Sequence, residues 1–122
     1  MFDHVTLGVS DIAVARRLYD AVMQALGIGL SWETARMLAY SNGSEVEFGL
    51  QFDPGAARQG THVAFLAVDR AAVRRFHAAG LEFGGRDAGA PGVRPEYHAH
   101  YFAAFLLDPD GNRLEAVCHR PA

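Results

Sequence analysis

Two histidines and one glutamate stand inside apolar stretches of this sequence, where titratable side chains are uncommon. His4 lies near the start of the stretch 2–9, His62 lies near the start of the stretch 61–68, and Glu115 lies inside a later one. Imidazole nitrogens and carboxylate oxygens are donors that divalent metals take from proteins, and a carboxylate embedded in an apolar run favours a nearby cation. A lone histidine at a strand start is most often an ordinary half-buried residue.

The two histidines come into register when the sequence is compared with itself at an offset of 58 residues. The same offset aligns Asp11 with Asp69, Arg16-Arg17 with Arg74-Arg75, and Gly27 with Gly85. Because the offset is close to half of the 122 residues, we infer two copies of one supersecondary unit, about 1–57 and 58–122. Each copy is too small to close a core alone, so we expect the pair to form one domain over 1–122.

Each copy is expected to begin with a strand and to pass quickly into a helix. Ser10 or Asp11 is a suitable cap for the first helix, which Gly27 ends, and the second helix runs from Asp69 to near Gly80. The predicted strands are 2–9, 28–33, 36–40 and 45–52 in the first copy, and 61–68, 101–107 and 113–118 in the second. Residues 108–112 read Asp-Pro-Asp-Gly-Asn, which is typical of a tight hairpin turn.

The stretch 84–100 is rich in glycine and proline and is expected to be a long loop with at most one short strand. Side chains in or beside it that could meet a substrate are Arg86, Arg94, Tyr97, His98, His100 and Tyr101. Two arginines could hold a carboxylate or phosphate, and Tyr97 or His98 could serve as acid and base. The alternative is a polar solvent-exposed loop with glycine turns.

The most informative motifs stand in a fixed order along nearly the whole chain. They are Asp3-His4-Val5, Thr61-His62-Val63, and Leu107-Asp108-Pro109-Asp110-Gly111-Asn112 followed by Leu114-Glu115. With the repeated order of strand, helix and three strands, this arrangement resembles the paired βαβββ modules of the vicinal oxygen chelate superfamily, which comprises glyoxalases, bleomycin resistance proteins and ring-cleaving dioxygenases. The resemblance implies an α+β fold whose eight strands form a cupped mixed sheet, an incomplete barrel, with helices outside.

The resemblance also implies a metal site in the cup. Its ligands would be His4, His62 and Glu115, and the divalent ion could be iron, zinc, nickel or manganese. Glyoxalase I relatives carry a further glutamate at the strand position that Gly49 occupies here. Glu47 or Gln51 is a possible fourth ligand, but each stands two residues away along the strand.

Two classes of function follow from this resemblance. The first is a metal-dependent enzyme, a lyase, isomerase or ring-cleaving dioxygenase, that acts on a small substrate chelated through two vicinal oxygens. In that enzyme Tyr97 and His98 would be the catalytic acid and base, with Arg86, Arg94, His100 and Tyr101 binding the substrate. The alternative is a metal-free binding protein that sequesters an antibiotic, as bleomycin resistance proteins do.

Composition and charge indicate which partners and which cell compartment to expect. A formal net charge of −3 offers no basic stripe for nucleic acid. No apolar run reaches the roughly 20 residues that a membrane helix needs, and the start has no signal-peptide pattern. A single cysteine, Cys118, rules out an internal disulfide. We therefore expect a cytoplasmic protein, and the open sheet edges of such a cup favour a homodimer.

Overall fold

The computed structural model describes residues 1–55 and 61–122, and it confirms the α+β fold with two βαβββ units. The first unit contains β1 (His4–Val9), α1 (Ile12–Ala25), β2 (Gly29–Glu33), β3 (Met37–Ser41) and β4 (Glu47–Phe52). The second contains β5 (His62–Leu66), α2 (Arg70–Glu82), β6 (Arg86–Val93), β7 (Phe102–Leu107) and β8 (Arg113–Cys118). The predicted boundary between the units, at residues 57 and 58, lies outside the described residues.

The eight strands divide into two mixed sheets of four, with the orders β1-β4-β3-β2 and β5-β8-β7-β6. In each unit the first strand pairs in parallel with the last strand, and the remaining pairs are antiparallel. The parallel pairs repeat the same register, because Thr6 lies opposite Gly49 in the first sheet and Ala64 lies opposite Glu115 in the second. The internal repeat of the sequence is therefore a repeat of structure.

Strand alternation gives each sheet a face that packs on the helices and a face without helices, called here the helix-free face. In β1, Leu7 and Val9 are buried in the core, whereas His4 and Thr6 point to the other side and are exposed. The same parity holds in β5, where Phe65 is buried in the core and His62 is exposed. The predicted strand parity of both histidines is confirmed.

Both helices begin at the predicted aspartates and pack against each other. The Asp11 carboxylate accepts the N–H groups of Ala13 and Val14, and the Asp69 carboxylate accepts that of Ala72. Apolar side chains from both units and both helices belong to one buried cluster, which also contains the thiol of Cys118. In the parts of the chain that the structure describes, no helix combines the length and apolar character needed to cross a membrane.

The turn between β7 and β8 joins the two units. Asp108, Asp110 and Asn112 are almost completely buried there, with exposed fractions of 1%, 4% and 1%. The Asp108 carboxylate accepts the hydroxyl of Tyr19 in α1 at 2.7 Å, and the Asp110 carboxylate accepts the N–H of Ser10 at 3.0 Å. The turn thus has a second role, because its carboxylates hold the first helix and the residue before its cap against the second sheet.

The stretch 84–100 contains the one strand that the sequence left open there, and this strand is longer than expected. The edge strand β6 runs over eight residues and pairs with β7, with register shifts between Asp87 and Gly89 and between Gly89 and Gly92. A Cβ atom at Gly89 would lie 2.8 Å from the ring of Phe105. Glycine therefore permits the close approach of β6 to β7 here, and the glycine-rich composition does not end the pairing.

The second helix continues past Gly80, where the sequence predicted its end, and stops at Glu82. Gly80 is buried, and a Cβ atom there would lie 2.2 Å from Cδ1 of Leu106 in β7. The missing side chain lets the helix approach the sheet closely, so this glycine marks a packing contact and not a helix terminus.

Candidate functional site

A histidine and a glutamate meet on the helix-free face of the second sheet. His62 opens β5, and Glu115 lies in β8 opposite Ala64. The Nε2 atom of His62 is 2.8 Å from Oε1 of Glu115. The Glu115 side chain is 3% exposed and that of His62 is 49% exposed. The parallel pairing of two strands thus joins a buried carboxylate to an imidazole that solvent and ligands can reach.

The second oxygen of Glu115 also has a partner. The hydroxyl of Tyr101, which precedes β7, donates to Oε2 of Glu115. Two effects raise the pKa of Tyr101 well above its ordinary value: the larger is burial of the hydroxyl, and the smaller is its contact with the Glu115 carboxylate. The phenol therefore remains protonated near neutral pH, where it is a donor and not a base. His62 and Tyr101 together explain how the sheet tolerates this buried carboxylate.

The third predicted ligand, His4, lies elsewhere in the chain. Its side chain is 65% exposed, and Nδ1 is 2.7 Å from the carboxylate of Asp3. Within residues 1–55 and 61–122, no three side chains of histidine, cysteine, aspartate or glutamate come close enough to hold a metal ion. One chain therefore brings together His62 and Glu115, and leaves His4 at the equivalent position of the other sheet.

The first sheet offers no carboxylate at the position equivalent to Glu115. Gly49 stands there, and a Cβ atom would lie 3.2 Å from Oγ1 of Thr6. Glu47 lies opposite His4 in the parallel pair and accepts the indole N–H of Trp32 at 3.3 Å, while Gln51 is exposed farther along β4. The donor types of His62 and Glu115 suit a divalent ion, but a single chain supplies two of the three donors that such a site needs.

Two arginines flank the same face at Phe105, a buried residue of β7. The guanidinium carbons of Arg113 and Arg94 lie 4.9 Å and 5.4 Å from the centre of its ring, and the His62 ring lies 6.2 Å from it. Arg94 also donates to the carbonyl of Ala90 at 2.7 Å. Of the two predicted arginines, Arg94 thus lies beside His62 and Arg113, and its role in substrate binding stays a prediction.

Sequence reasoning missed Arg113, although its signal was present. Arg113 stands two residues before Glu115 in β8, so strand alternation places both side chains on one face. His119 was missed for the same reason, since it continues that alternation beyond the end of β8. Counting residues of equal parity along the last strand would have found both.

One phenol ring and two imidazole rings pack against the ring of Tyr101. The ring centres of Tyr97, His119 and His98 lie 4.7, 5.3 and 5.5 Å from that of Tyr101. The backbone N–H of His100 donates to Nδ1 of His98, so the ring proton of neutral His98 is assigned to Nε2, which donates to Nδ1 of His119 at 2.8 Å. The predicted acid and base, Tyr97 and His98, are therefore close to the carboxylate's tyrosine partner.

The remaining predicted residues are less closely tied to this cluster. Arg86 is exposed at the start of β6, opposite Leu107, at the other end of the sheet from Tyr101. His100 is exposed, and its contribution to the cluster is its backbone N–H. Substrate binding by either side chain stays a prediction.

Comparisons with known proteins agree with the fold. Residues 1–116 match the family model of the Glyoxalase/Bleomycin resistance protein/Dioxygenase superfamily. A crystal structure of a glyoxalase/bleomycin resistance protein from Albidiferax ferrireducens T118 is 33% identical, covers 99% of both chains and has a TM-score of 0.86. A search of curated proteins found no match.

Two more distant structures show the same fold at 18% identity. The fosfomycin resistance protein FosX from Mesorhizobium loti has a TM-score of 0.72, with 98% of this chain and 92% of that chain covered. The bleomycin resistance determinant encoded on the transposon Tn5 has a TM-score of 0.68, with 99% of both chains covered. Since the family model covers almost the full length, the chain belongs to the glyoxalase, bleomycin resistance protein and dioxygenase superfamily.

Proposed function

We propose that this protein is a divalent-metal-dependent enzyme that acts on a small substrate through two vicinal oxygens. The observation that carries the proposal is the pair of His62 and Glu115, 2.8 Å apart, with the carboxylate buried on the helix-free face. These two residues would hold the ion. The chemistry that a divalent ion supplies in such a site is polarisation of adjacent substrate oxygens or, for iron, activation of dioxygen.

The third ligand would be His4 of a second copy. His4 and His62 occupy equivalent positions in the two units, yet within the described parts of one chain they do not join Glu115 in a group of three ligands. The strands β1 and β5 are edges of their sheets, and exposed Phe2, Leu66 and Val68 lie at or beside them. A second copy that covers this apolar surface would form the homodimer and complete the site.

Side chains of the chain itself would handle the substrate. Arg94 and Arg113 beside Phe105 would hold an anionic group of the substrate. Tyr101 fixes Glu115 as an acceptor, and the hydrogen bond from His98 to His119 gives a path for a proton at the outer side of Tyr101. Tyr97 and His98 remain the proposed acid and base.

Elemental analysis of purified, metal-loaded protein tests this proposal. We expect about one ion per chain in the wild type, and a loss of at least tenfold in metal affinity in His62→Ala and Glu115→Gln. The variant Glu82→Gln makes the same chemical change at an exposed helix end and should retain the metal. Absence of metal from the wild type after loading with iron, zinc, nickel and manganese would refute the enzyme.

Mixing two inactive variants tests the shared site. In a dimer that pairs His4→Ala with His62→Ala, one of the two sites would keep both histidines if each site uses residues of both chains. Statistical mixing should then restore about a quarter of the wild-type metal content. No recovery in mixed dimers would show that a site uses His4 and His62 of one chain, whereas full metal content in His4→Ala alone would show that the site does not use His4.

A metal-free binding protein is the second candidate function. It is favoured by one observation, namely that both oxygens of Glu115 already have donors in His62 and Tyr101. A carboxylate satisfied in this way does not need an ion. The binder predicts no metal after loading and a ligand that protects the protein from unfolding.

A further inference from the structure

A second concave site lies at the start of α2. It is a pocket of about 300 Å³ lined by Asp69, Arg70, Arg74, Cys118, Arg120 and the last two residues of the chain. Phe102, on which Arg70 and Arg74 rest, belongs to the helix-packed core, whereas the adjacent Tyr101 reaches Glu115 on the other face. The pocket is therefore on the opposite side of the second sheet from the proposed metal site.

Three arginines line this pocket, and they outnumber the one carboxylate among its side chains, that of Asp69. The guanidinium carbons of Arg70 and Arg74 lie 4.9 Å and 4.8 Å from the centre of the same Phe102 ring, so the two cations are within about 10 Å of each other. None of the three arginines forms an ion pair with a carboxylate of residues 1–55 or 61–122. Asp69 also lines the pocket, where its carboxylate accepts the N–H of Ala72 as the helix cap, so the formal charges of the lining side chains are three positive and one negative.

One of these arginines has a buried donor without an acceptor. The Nε atom of Arg70 is buried and has no hydrogen-bond partner among the described residues. A buried donor of a charged group is costly to leave unpaired, because it has lost its hydrogen bond to water and the ring of Phe102 does not replace that bond. Residues 1–55 and 61–122 thus supply no acceptor for this donor, and an anion in the pocket would supply one.

We propose that this pocket binds a small tetrahedral oxyanion, either inorganic phosphate or the phosphate of a monoester. Guanidinium groups match phosphate oxygens with paired N–H donors, and a dianion would balance the charge excess of the three arginines over Asp69. The N-terminus of the 13-residue helix α2 adds a favourable dipole. Because it lies on the other side of the sheet, this site does not depend on the proposed function of Glu115.

Calorimetric titration with inorganic phosphate, at ionic strength matched with sodium chloride, tests the proposal. We expect saturable binding in the wild type, and at least a tenfold loss of affinity in the double variant Arg70→Gln/Arg74→Gln and in Arg120→Gln. Arg120 is exposed in the last residues, so its substitution keeps the core intact. Arg75→Gln is the matched control, since Arg75 is exposed on the same helix and does not line the pocket.

Two results of this titration would overturn the proposal, and competition by acetate gives a third. One is no binding of phosphate beyond the chloride control, and the other is undiminished binding in both the double variant and Arg120→Gln. Sulfate and glycerol phosphate distinguish the oxyanion from its carrier: sulfate should compete with phosphate, and a monoester that binds at least as well as phosphate identifies the esterified form as the ligand. Equal competition by acetate would show a general cation patch and refute the tetrahedral site.

Discussion

The hydroxyl of Tyr19 should stabilise the protein far more than that of Tyr40, although the two hydrogen bonds have the same length. Each hydroxyl donates to an aspartate at 2.7 Å, Tyr19 to Asp108 and Tyr40 to Asp20, and both tyrosines are buried. The acceptors differ, because Asp108 is 1% exposed and the side chain of Asp20 is 45% exposed. The pair of variants Tyr19→Phe and Tyr40→Phe therefore separates the effect of burial from the effect of the contact.

The expected magnitudes follow from what replaces the lost donor. In Tyr40→Phe, water can reach the carboxylate of Asp20, so the loss should be about 0.5–1 kcal/mol. In Tyr19→Phe, Oδ2 of Asp108 keeps the side-chain N–H of Asn112 at 2.8 Å but has no access to water. The loss of a hydrogen bond to a buried charged acceptor should cost about 1.5–3 kcal/mol.

Equilibrium unfolding in urea, followed by circular dichroism, measures both values. Equal dependence of the free energy of unfolding on urea concentration in all three proteins would show that the unfolded states are comparable. A loss in Tyr19→Phe that is no larger than the loss in Tyr40→Phe would refute the reasoning, because the buried turn would then not hold the two units together through this bond.

Three further predictions concern packing and pH. Gly80→Ala should destabilise the protein in urea unfolding by up to about 2 kcal/mol, since overpacking against Leu106 costs about 1–3 kcal/mol and helix propensity returns about 1 kcal/mol. Adding Leu106→Val should cost less than the sum of the two single changes, and additive losses would contradict the clash. Burial and contact with carboxylates raise the pKa of Tyr19 and Tyr101 above 10.0. The contribution of these protonated phenols to the free energy of unfolding is therefore fully present below pH 10 and should fall as the pH rises further. The fall should be less steep in Tyr19→Phe, and identical alkaline unfolding curves for the two proteins would contradict this. The hydrogen bond with His77 lowers the pKa of Asp87 below 3.8. The contribution of the Asp87 carboxylate to stability is therefore present above pH 3.8 and is lost as the pH falls through the lowered pKa. The free energy of unfolding of Asp87→Asn should depend less on pH in that range, and an unchanged dependence would refute the role of the pair.

Local signals in the sequence were sufficient to predict where the helices begin, where the last hairpin turns and which face of each strand is buried. The caps at Asp11 and Asp69, the turn at 108–112 and the parity of the strands depend on neighbours a few residues away, and the structure agrees with each of them. The sequence pattern predicts a helix end at Gly80 and a loop around Gly89. In the structure their missing side chains instead permit close approach to β7, of α2 at Gly80 and of β6 at Gly89. Sequence alone does not distinguish a glycine that permits close packing from a glycine that ends a helix or strand.

The site needed the tertiary structure to a greater extent. The sequence alone picked out His62 and Glu115 by residue type and strand position, but the parallel pairing of β5 with β8 decided that two residues 53 positions apart share a hydrogen bond. Tyr101 became the second partner of Glu115 only because β7 lies beside β8. His4 had an equally good local signal, yet its place relative to Glu115 depends on how two separate sheets meet, within one chain or between two copies. Strand pairing and sheet packing are long-range interactions, and no pattern of neighbouring residues encodes their geometry.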